Sequence, residues 1–302
     1  MKVCITGSTG LLGTHLIRSA PKDVTVVGTV HEYQETVKRP QVTYVSLDIR
    51  QQTEVANVLK EVRPDIIIHT AAHTSVDFCE NNQEDTYQTN VLGLKYLIHA
   101  AKAIGSKIIF CSTNMTYDGL EPPYSEESPQ NPQTYYGKTK VQGESLLKEA
   151  NIPYTIVRLM TMYGWNWQPQ RKNMISMAIE KLRKNEKLWM TNDVFNNLLY
   201  VHEAAAFLWR VVSEPKLSDY EVYNIAGADC INRYQATIKL CEVFNYDKKL
   251  ITEVSSSYFA NTEVTRSPNT CFNTNKAHTM LSFKPMGVDA GLKNMRDNTI
   301  IK

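Results

Sequence analysis

A chain of 302 residues with 42% apolar side chains can bury a sizeable core, enough for one full-sized domain with a smaller appended lobe. Its net charge of +2, with Lys and Arg dispersed rather than run together, argues against a nucleic-acid partner, and no apolar stretch approaches the ~20 residues of a membrane span. A first strand is expected from Lys2, and on that expectation no leader peptide is predicted. The six cysteines, Cys4, Cys79, Cys111, Cys230, Cys241 and Cys271, form no C-x-x-C pair or regular framework. All six are expected to be reduced thiols in a cytoplasmic compartment, and no metal site is expected.

In chain order, Lys2-Val3-Cys4-Ile5-Thr6 is a β-branched run that stops at Gly7, after which Leu11, Leu12, Leu16 and Ile17 recur at helical spacing. This reads as strand, glycine turn, helix. Gly7, Gly10 and Gly13 leave room for a tight turn, for backbone N–H groups to approach a pyrophosphate, and for close helix packing. Gly7, Ser8, Thr9, Gly10, Leu11, Leu12 and Gly13 are therefore the candidate cofactor turn. Strands follow at 24–30, 42–47, 66–70, 107–110 and 154–159, alternating with helices at 53–62, 86–103 and 135–150. Such alternation through about residue 160 predicts an α/β fold, a Rossmann-like doubly wound parallel sheet binding ligands at the carboxyl ends of its strands. Beyond it the pattern loosens, with helices at 174–184, 203–212 and 234–244, a strand at 221–225, and an irregular remainder.

Tyr136-Gly137-Lys138-Thr139-Lys140 sets a phenol and an ammonium four residues apart, on one face of a helix. A free tyrosine titrates near pH ~10, and a neighbouring cation is expected to lower that value towards neutrality. A proton donor suited to carbonyl reduction results.

Together, the glycine turn and the Tyr136/Lys140 pair resemble the extended short-chain dehydrogenase/reductase family. That resemblance implies that Tyr136 donates a proton, Lys140 holds the nicotinamide ribose, and Thr113, in Cys111-Ser112-Thr113-Asn114, polarises the substrate carbonyl; Ser112 reads as a structural hydroxyl. Asp48 resembles the carboxylate that meets the adenine amine, with Ile49 against the ring; the other reading of Asp48 is a helix cap. Ala71 and Ala72 resemble the small residues that let the fourth strand lie close to the cofactor. Asn90 resembles the helix asparagine that orders the proton-relay end of the site, and a buried asparagine bonded only to backbone is the alternative. The second strand ends in Val30-His31, without the acid that would repel a 2′-phosphate, so NADP(H) is favoured and NAD(H) admitted. The resemblance further implies that residues 1–160 form the dinucleotide-binding domain. Residues 161–302 would be mainly a small C-terminal substrate lobe, partly interleaved with the sheet, and a homodimer is admitted.

Within that family, Ala71-Ala72-His73-Thr74-Ser75-Val76-Asp77, the Thr113 segment, Tyr136–Glu144, Val222-Tyr223-Asn224-Ile225 and Thr265-Arg266-Ser267-Pro268-Asn269-Thr270 look like the dTDP-4-dehydrorhamnose reductase group. The implied reaction is reduction of a nucleotide-linked 4-keto-6-deoxyhexose. Asn114 stands where those reductases usually carry aspartate, and Met115 stands where bifunctional 3,5-epimerase/4-reductases place a cysteine. Thr74, Ser75, Val76, Asn114, Met115, Trp165, Arg171 and Asn173 are the candidate substrate contacts, with ordinary loop or solvated surface as the competing reading for the loop residues. Two alternatives stay open: the bifunctional class, and a non-catalytic dinucleotide-binding regulatory subunit resembling the β-subunit of methionine adenosyltransferase.

Overall fold

Apolar, β-branched runs bounded by glycine, proline or polar residues assemble into one sheet in the computed structural model, which describes residues 1–31, 36–168, 172–260, 264 and 266–298. Strands β1 (Lys2–Thr6), β2 (Thr25–Val30), β3 (Val42–Ser46), β4 (Ile66–His69), β5 (Lys107–Thr113) and β6 (Tyr154–Leu159) all run parallel. A seventh parallel strand, Glu221–Ile225, pairs with β6, and the order is seventh, β6, β5, β4, β1, β2, β3. The direction of winding reverses between β1 and β4, and the carboxyl ends of strands at such a switch point are where sheets of this kind bind ligands.

Successive strand residues point to opposite faces, so each strand feeds two cores. Val3, Ile5, Ile66, Ile68 and Ile109 pack on the layer containing α1 (Leu11–Arg18) and the later helix Val201–Ser213. Cys4, Ile67, Ile108 and Phe110 pack on the opposite layer, containing α2 (Gln52–Val62). Two short helices, α3 (Val76–Asn81) and α4 (Gln83–Tyr87), precede α5 (Gly93–Ile104), which with α6 (Tyr135–Glu149) completes that layer. The single helix expected over 86–103 is interrupted by a π-helical turn, Gln88–Leu92, which carries Asn90. Such wide turns are frequent at functional sites.

Three expectations are corrected. The last part of the chain is not irregular: Ile251–Val254 pairs in parallel with Leu188–Thr191, and Asn275–Leu281 and Val288–Asp297 are helices. Val288, Gly291, Leu292 and Met295 are the buried face of the last helix, a helical repeat too short to stand out among Asp, Lys and Asn. The cysteines are not all free thiols, because Cys230 and Cys271 form a disulfide, whereas Cys4, Cys79, Cys111 and Cys241 are buried and unpaired. The two bonded residues lie 41 positions apart, which no local spacing rule reveals. Third, Tyr136 titrates in the direction opposite to that expected, for reasons given below. Among the described residues no helix is long and apolar enough to cross a membrane, and no cluster of three or more His, Cys, Asp or Glu side chains is placed to hold a metal ion.

Candidate active site

The glycine turn is tight enough to exclude side chains. Gly7 has φ +69°, and a Cβ on Gly13 would lie 2.2 Å from the Gly7 carbonyl oxygen. A Cβ on Gly7 itself would lie 2.8 Å from the backbone of Ala71, so β1 and β4 also close up here. α1 begins at Gly10 with no side-chain cap and no acid in its first turn, which leaves its N-terminal N–H groups and dipole to an anion. The neighbouring side chains are committed elsewhere: Ser8 Oγ donates to the Thr29 carbonyl (2.8 Å), and Leu12 is buried in the core. Thr9 and Leu11 are half-buried at the lip, as are Ala71 and Ala72 opposite.

Asp48, expected from the resemblance to meet an adenine, does not cap α2, whose first residue follows Gln51. Its carboxylate accepts from the Arg50 backbone N–H (2.9 Å) and is gripped by the Arg50 guanidinium through Nε (3.0 Å) and Nη2 (2.9 Å). Burial alone would raise the Asp48 pKa, but the bonds from Arg50 outweigh it and hold the carboxyl below its ordinary range. Exposed His31 stands 3.3 Å from the same carboxylate, Arg50 reaches Asp85 (3.2 Å), and His73 Nε2 lies 3.0 Å from Asp85. Arg50, the hub of this charged rim, was not singled out from sequence. Ile49 is buried against Gly93.

Thr113, Tyr136 and Lys140 converge at the carboxyl end of β5, each at least nine-tenths buried. Thr134 caps α6 by accepting from Gly137 N–H (3.2 Å), and Gly137 lets the helix press on the turn after Thr113: a Cβ there would lie 2.2 Å from the Met115 carbonyl oxygen. Tyr136 is hydrogen-bonded to Thr113, but burial among Val76, Cys79 and Met115 pushes its pKa above the ordinary value, overriding that bond. The cation four residues on therefore does not make an acidic phenol here. Burial instead lowers Lys140 to about 8, its ammonium resting 4.0 Å from the centre of the Phe110 ring. Ser112 donates to Glu144 (2.6 Å), and Glu144 binds Arg158 through two nitrogens, a buried pair that fastens α6 to β6. Asn90 accepts from His73 N–H (2.9 Å) and donates to the His73 carbonyl (3.0 Å) and to Thr139 (3.2 Å), tying the β4 exit to the helix of Tyr136 and Lys140.

Beside this cluster a pocket is lined by Met115, Thr161, Asn196, Asn232, Arg266 and Thr270, among others, with no carboxylate in its wall. Val76 packs beside Tyr136, and the Ser75 hydroxyl caps α3 by accepting from Phe78 N–H (3.3 Å). Thr74 is exposed. Asn114 is buried and bonded to Thr270 (2.7 Å). Trp165 is placed elsewhere, donating from its indole to the Met295 carbonyl (2.7 Å) and packing on Phe244. Asn173 caps the helix Met174–Arg183 and donates to the Gly164 carbonyl (2.7 Å). Arg171 lies outside the described residues. Arg266, which reaches Asp77 (2.7 Å), and the polar trio Thr161, Asn196 and Thr270 join the pocket without having been assigned roles from sequence; the motif-like Thr265–Thr270 segment hinted at Arg266 and Thr270, and nothing pointed to Thr161 or Asn196.

This is the arrangement of the extended short-chain dehydrogenases/reductases. More narrowly, the chain belongs to the RmlD substrate binding domain family, which matches residues 1–300. It is 25% identical to dTDP-4-dehydrorhamnose reductase of Aggregatibacter actinomycetemcomitans over 262 residues, 84% of this chain and 87% of that protein. Similarity of the same order, 25% over 260 residues, extends to methionine adenosyltransferase 2 subunit beta of Bos taurus, covering 85% of this chain and 76% of that one. Among solved structures, dTDP-4-dehydrorhamnose reductase of Bacillus anthracis in complex with NADP superposes with a TM-score of 0.85 at 25% identity, covering 99% of both chains.

Proposed function

We propose that this protein is an NAD(P)H-dependent oxidoreductase that reduces a nucleotide-linked 4-keto-6-deoxyhexose of the dTDP-4-dehydrorhamnose type to the 6-deoxyhexose. The observation that carries this reading is the convergence of buried Thr113, Tyr136 and Lys140 at the carboxyl end of β5, on the same end of the sheet where the glycine turn follows parallel β1. The relatives named dTDP-4-dehydrorhamnose reductase, one of them bound to NADP, support the same class.

The turn fits a dinucleotide: side-chain-free backbone at Gly7 and Gly13 and an uncapped helix start suit a pyrophosphate, with Ala71 and Ala72 opposite. Lys140 would hold the nicotinamide ribose. The bound cofactor supplies the hydride. Thr113 then orients and polarises the ketone oxygen, and Tyr136 gives that oxygen its proton as negative charge develops on it. Burial serves this role, because a phenol with a raised pKa stays protonated at neutral pH and is ready to donate. The phenolate left behind is costly in the same buried setting, and regaining a proton from solvent would complete the turnover. His31 at the end of β2, with Asp48 already neutralised by Arg50, leaves NADP(H) acceptable.

The bifunctional alternative needs a carbon base beside the sugar. Met115 lines the pocket and takes no proton, and the Cys79 thiol donates to the His73 carbonyl (3.5 Å) with its pKa raised by burial. The test is oxidation of NADPH and NADH with freshly prepared dTDP-4-dehydrorhamnose, for wild type and Tyr136→Phe. Turnover by wild type and a ~10²–10⁴-fold lower kcat for the variant, with cofactor affinity within a few-fold, are expected. Tight NADP binding without any turnover would move the chain to the regulatory class of the methionine adenosyltransferase β-subunit.

A further inference from the structure

Two segments far apart in sequence form adjoining walls of the pocket, Ile231–Arg233 and Arg266–Thr270. Each is immediately flanked by one half of the Cys230–Cys271 disulfide. Strand pairing reinforces the clasp: Phe195 pairs with Asn232 on one side and Asn269 on the other, and Asn197 exchanges two hydrogen bonds with the backbone of Phe272 (both 3.0 Å). From this strap, residues 266–272, one side chain reaches the catalytic cluster. Buried Thr270 accepts from Asn114 Nδ2 (2.7 Å), which also donates to Asn196 (3.4 Å), and Asn114 Oδ1 accepts from the Thr113 hydroxyl (3.3 Å). The Met115 backbone N–H donates to the same Thr113 oxygen (3.3 Å). Bonded to Asn114, to the Met115 N–H and to Tyr136, the Thr113 oxygen is held in place, and Asn114 is the member of that set tied to the strap.

We propose that Asn114 and Thr270 are positioning residues through which the seated strap fixes the Thr113 hydroxyl, and that the Cys230–Cys271 bond keeps the strap seated, so that its reduction slows turnover. The inference rests on the reductase reading. Reduction by a dithiol breaks the one S–S bond, leaves a thiol on each cysteine and converts the reductant to its cyclic disulfide, so two electrons and two protons move from reductant to protein. With the bond open, the strap keeps its hydrogen bonds and the packing of Phe272 on Tyr117 but loses its covalent tie, and a strap displaced from Asn114 leaves that buried amide free to turn away from Thr113.

The experiment is a double-mutant cycle on kcat with Asn114→Ala and Thr270→Val, alongside wild type and Thr270→Ser, each assayed before and after dithiol treatment and reoxidation. Each single loss is expected to lower kcat about tenfold with NADPH affinity unchanged, and the double variant to be no worse than the poorer single one, because both cut the same path. Thr270→Ser, which keeps the hydroxyl, should restore kcat to within a few-fold of wild type. Dithiol should lower wild-type kcat reversibly while leaving Thr270→Val unaffected, and thiol titration of the unfolded, unreduced protein should count four free cysteines of six. Additive losses, full activity in Thr270→Val, six free thiols, or a wild-type rate indifferent to dithiol would overturn the proposal while leaving the reductase reading intact. Absence of wild-type turnover with any 4-keto sugar nucleotide would instead remove that reading and this proposal together.

Discussion

Lys140 shows how burial sets what a single side chain can do. Only 3% of it is exposed, and its pKa falls from 10.5 to about 8 because burial disfavours the charge and outweighs the opposing influence of Cys111 and Glu144. Between about pH 8 and 10.5 the unfolded chain keeps this proton and the folded, cofactor-free chain has lost it. Through that window the group's contribution to stability rises with pH, and below it the burial penalty is at its full value. Ribose hydroxyls would favour the ammonium, so cofactor binding above about pH 8 must take up a proton. NADP(H) affinity is therefore expected to fall as pH climbs beyond that value, by up to about tenfold per unit. Calorimetric titration in buffers of different ionisation enthalpy should detect the proton uptake, and Lys140→Met should abolish it; pH-independent binding between 7.5 and 9.5 would contradict the assignment. Tyr136 and Lys140 stood out in the sequence because their spacing is a local pattern, whereas Thr113 was singled out only through the family resemblance. The rise in the Tyr136 pKa was not, because it depends on Val76, Cys79 and Met115 arriving from other parts of the chain.

At the scale of elements, the site is set by how α6 lies on the turn after β5. Gly137 is the contact point, and Asn90 on its π-helical turn and the Glu144–Arg158 pair brace the same helix from other sides. Gly137→Ala would force a methyl into the Met115 carbonyl, an overpacking that costs about 1–3 kcal/mol. The helix has to move, carrying Tyr136 away from Thr113. We expect kcat to fall at least about tenfold at temperatures well below the variant's melting point, whereas Lys138→Ala, one residue on and exposed, should leave both properties near wild type. Assaying both variants beside their melting curves checks this; an active, merely less stable Gly137→Ala protein would mean that the close approach serves packing alone. The pattern Y-G-K-T-K marks the glycine's position but not its neighbour, Met115, which comes from the turn after β5.

At the scale of the molecule, the two lobes share one interior. A single apolar cluster runs from Val3 and Ile5 through Tyr163 and Leu208 to Leu292 and Met295. The seventh sheet strand comes from the later half of the chain, and Trp209 donates to the Leu16 carbonyl across the halves (3.1 Å). A boundary at residue 160 would therefore cut through the core rather than between domains. Calorimetry of the full chain is expected to show one cooperative transition, and a fragment of residues 1–160 to lack a folded core. Two separated transitions, or a well-dispersed NMR spectrum from the fragment, would show that the first half is autonomous.

The sequence alone was sufficient for the sheet, the glycine turn and the Tyr136/Lys140 helix, because each rests on residues close in the chain whose periodicity or φ requirement is local. Thr113, singled out through the family resemblance, ends the strand Lys107–Thr113, three residues beyond the run that the sequence marked. Only the tertiary structure decided the partners of Asn114, the grip of Arg50 on Asp48 and Asp85, the orientation of Trp165 towards the last helix, and the joining of Cys230 to Cys271. Each of these is a meeting of groups brought together by folding, and burial then sets their charge and hydrogen bonding, neither of which is encoded in any short stretch of residues.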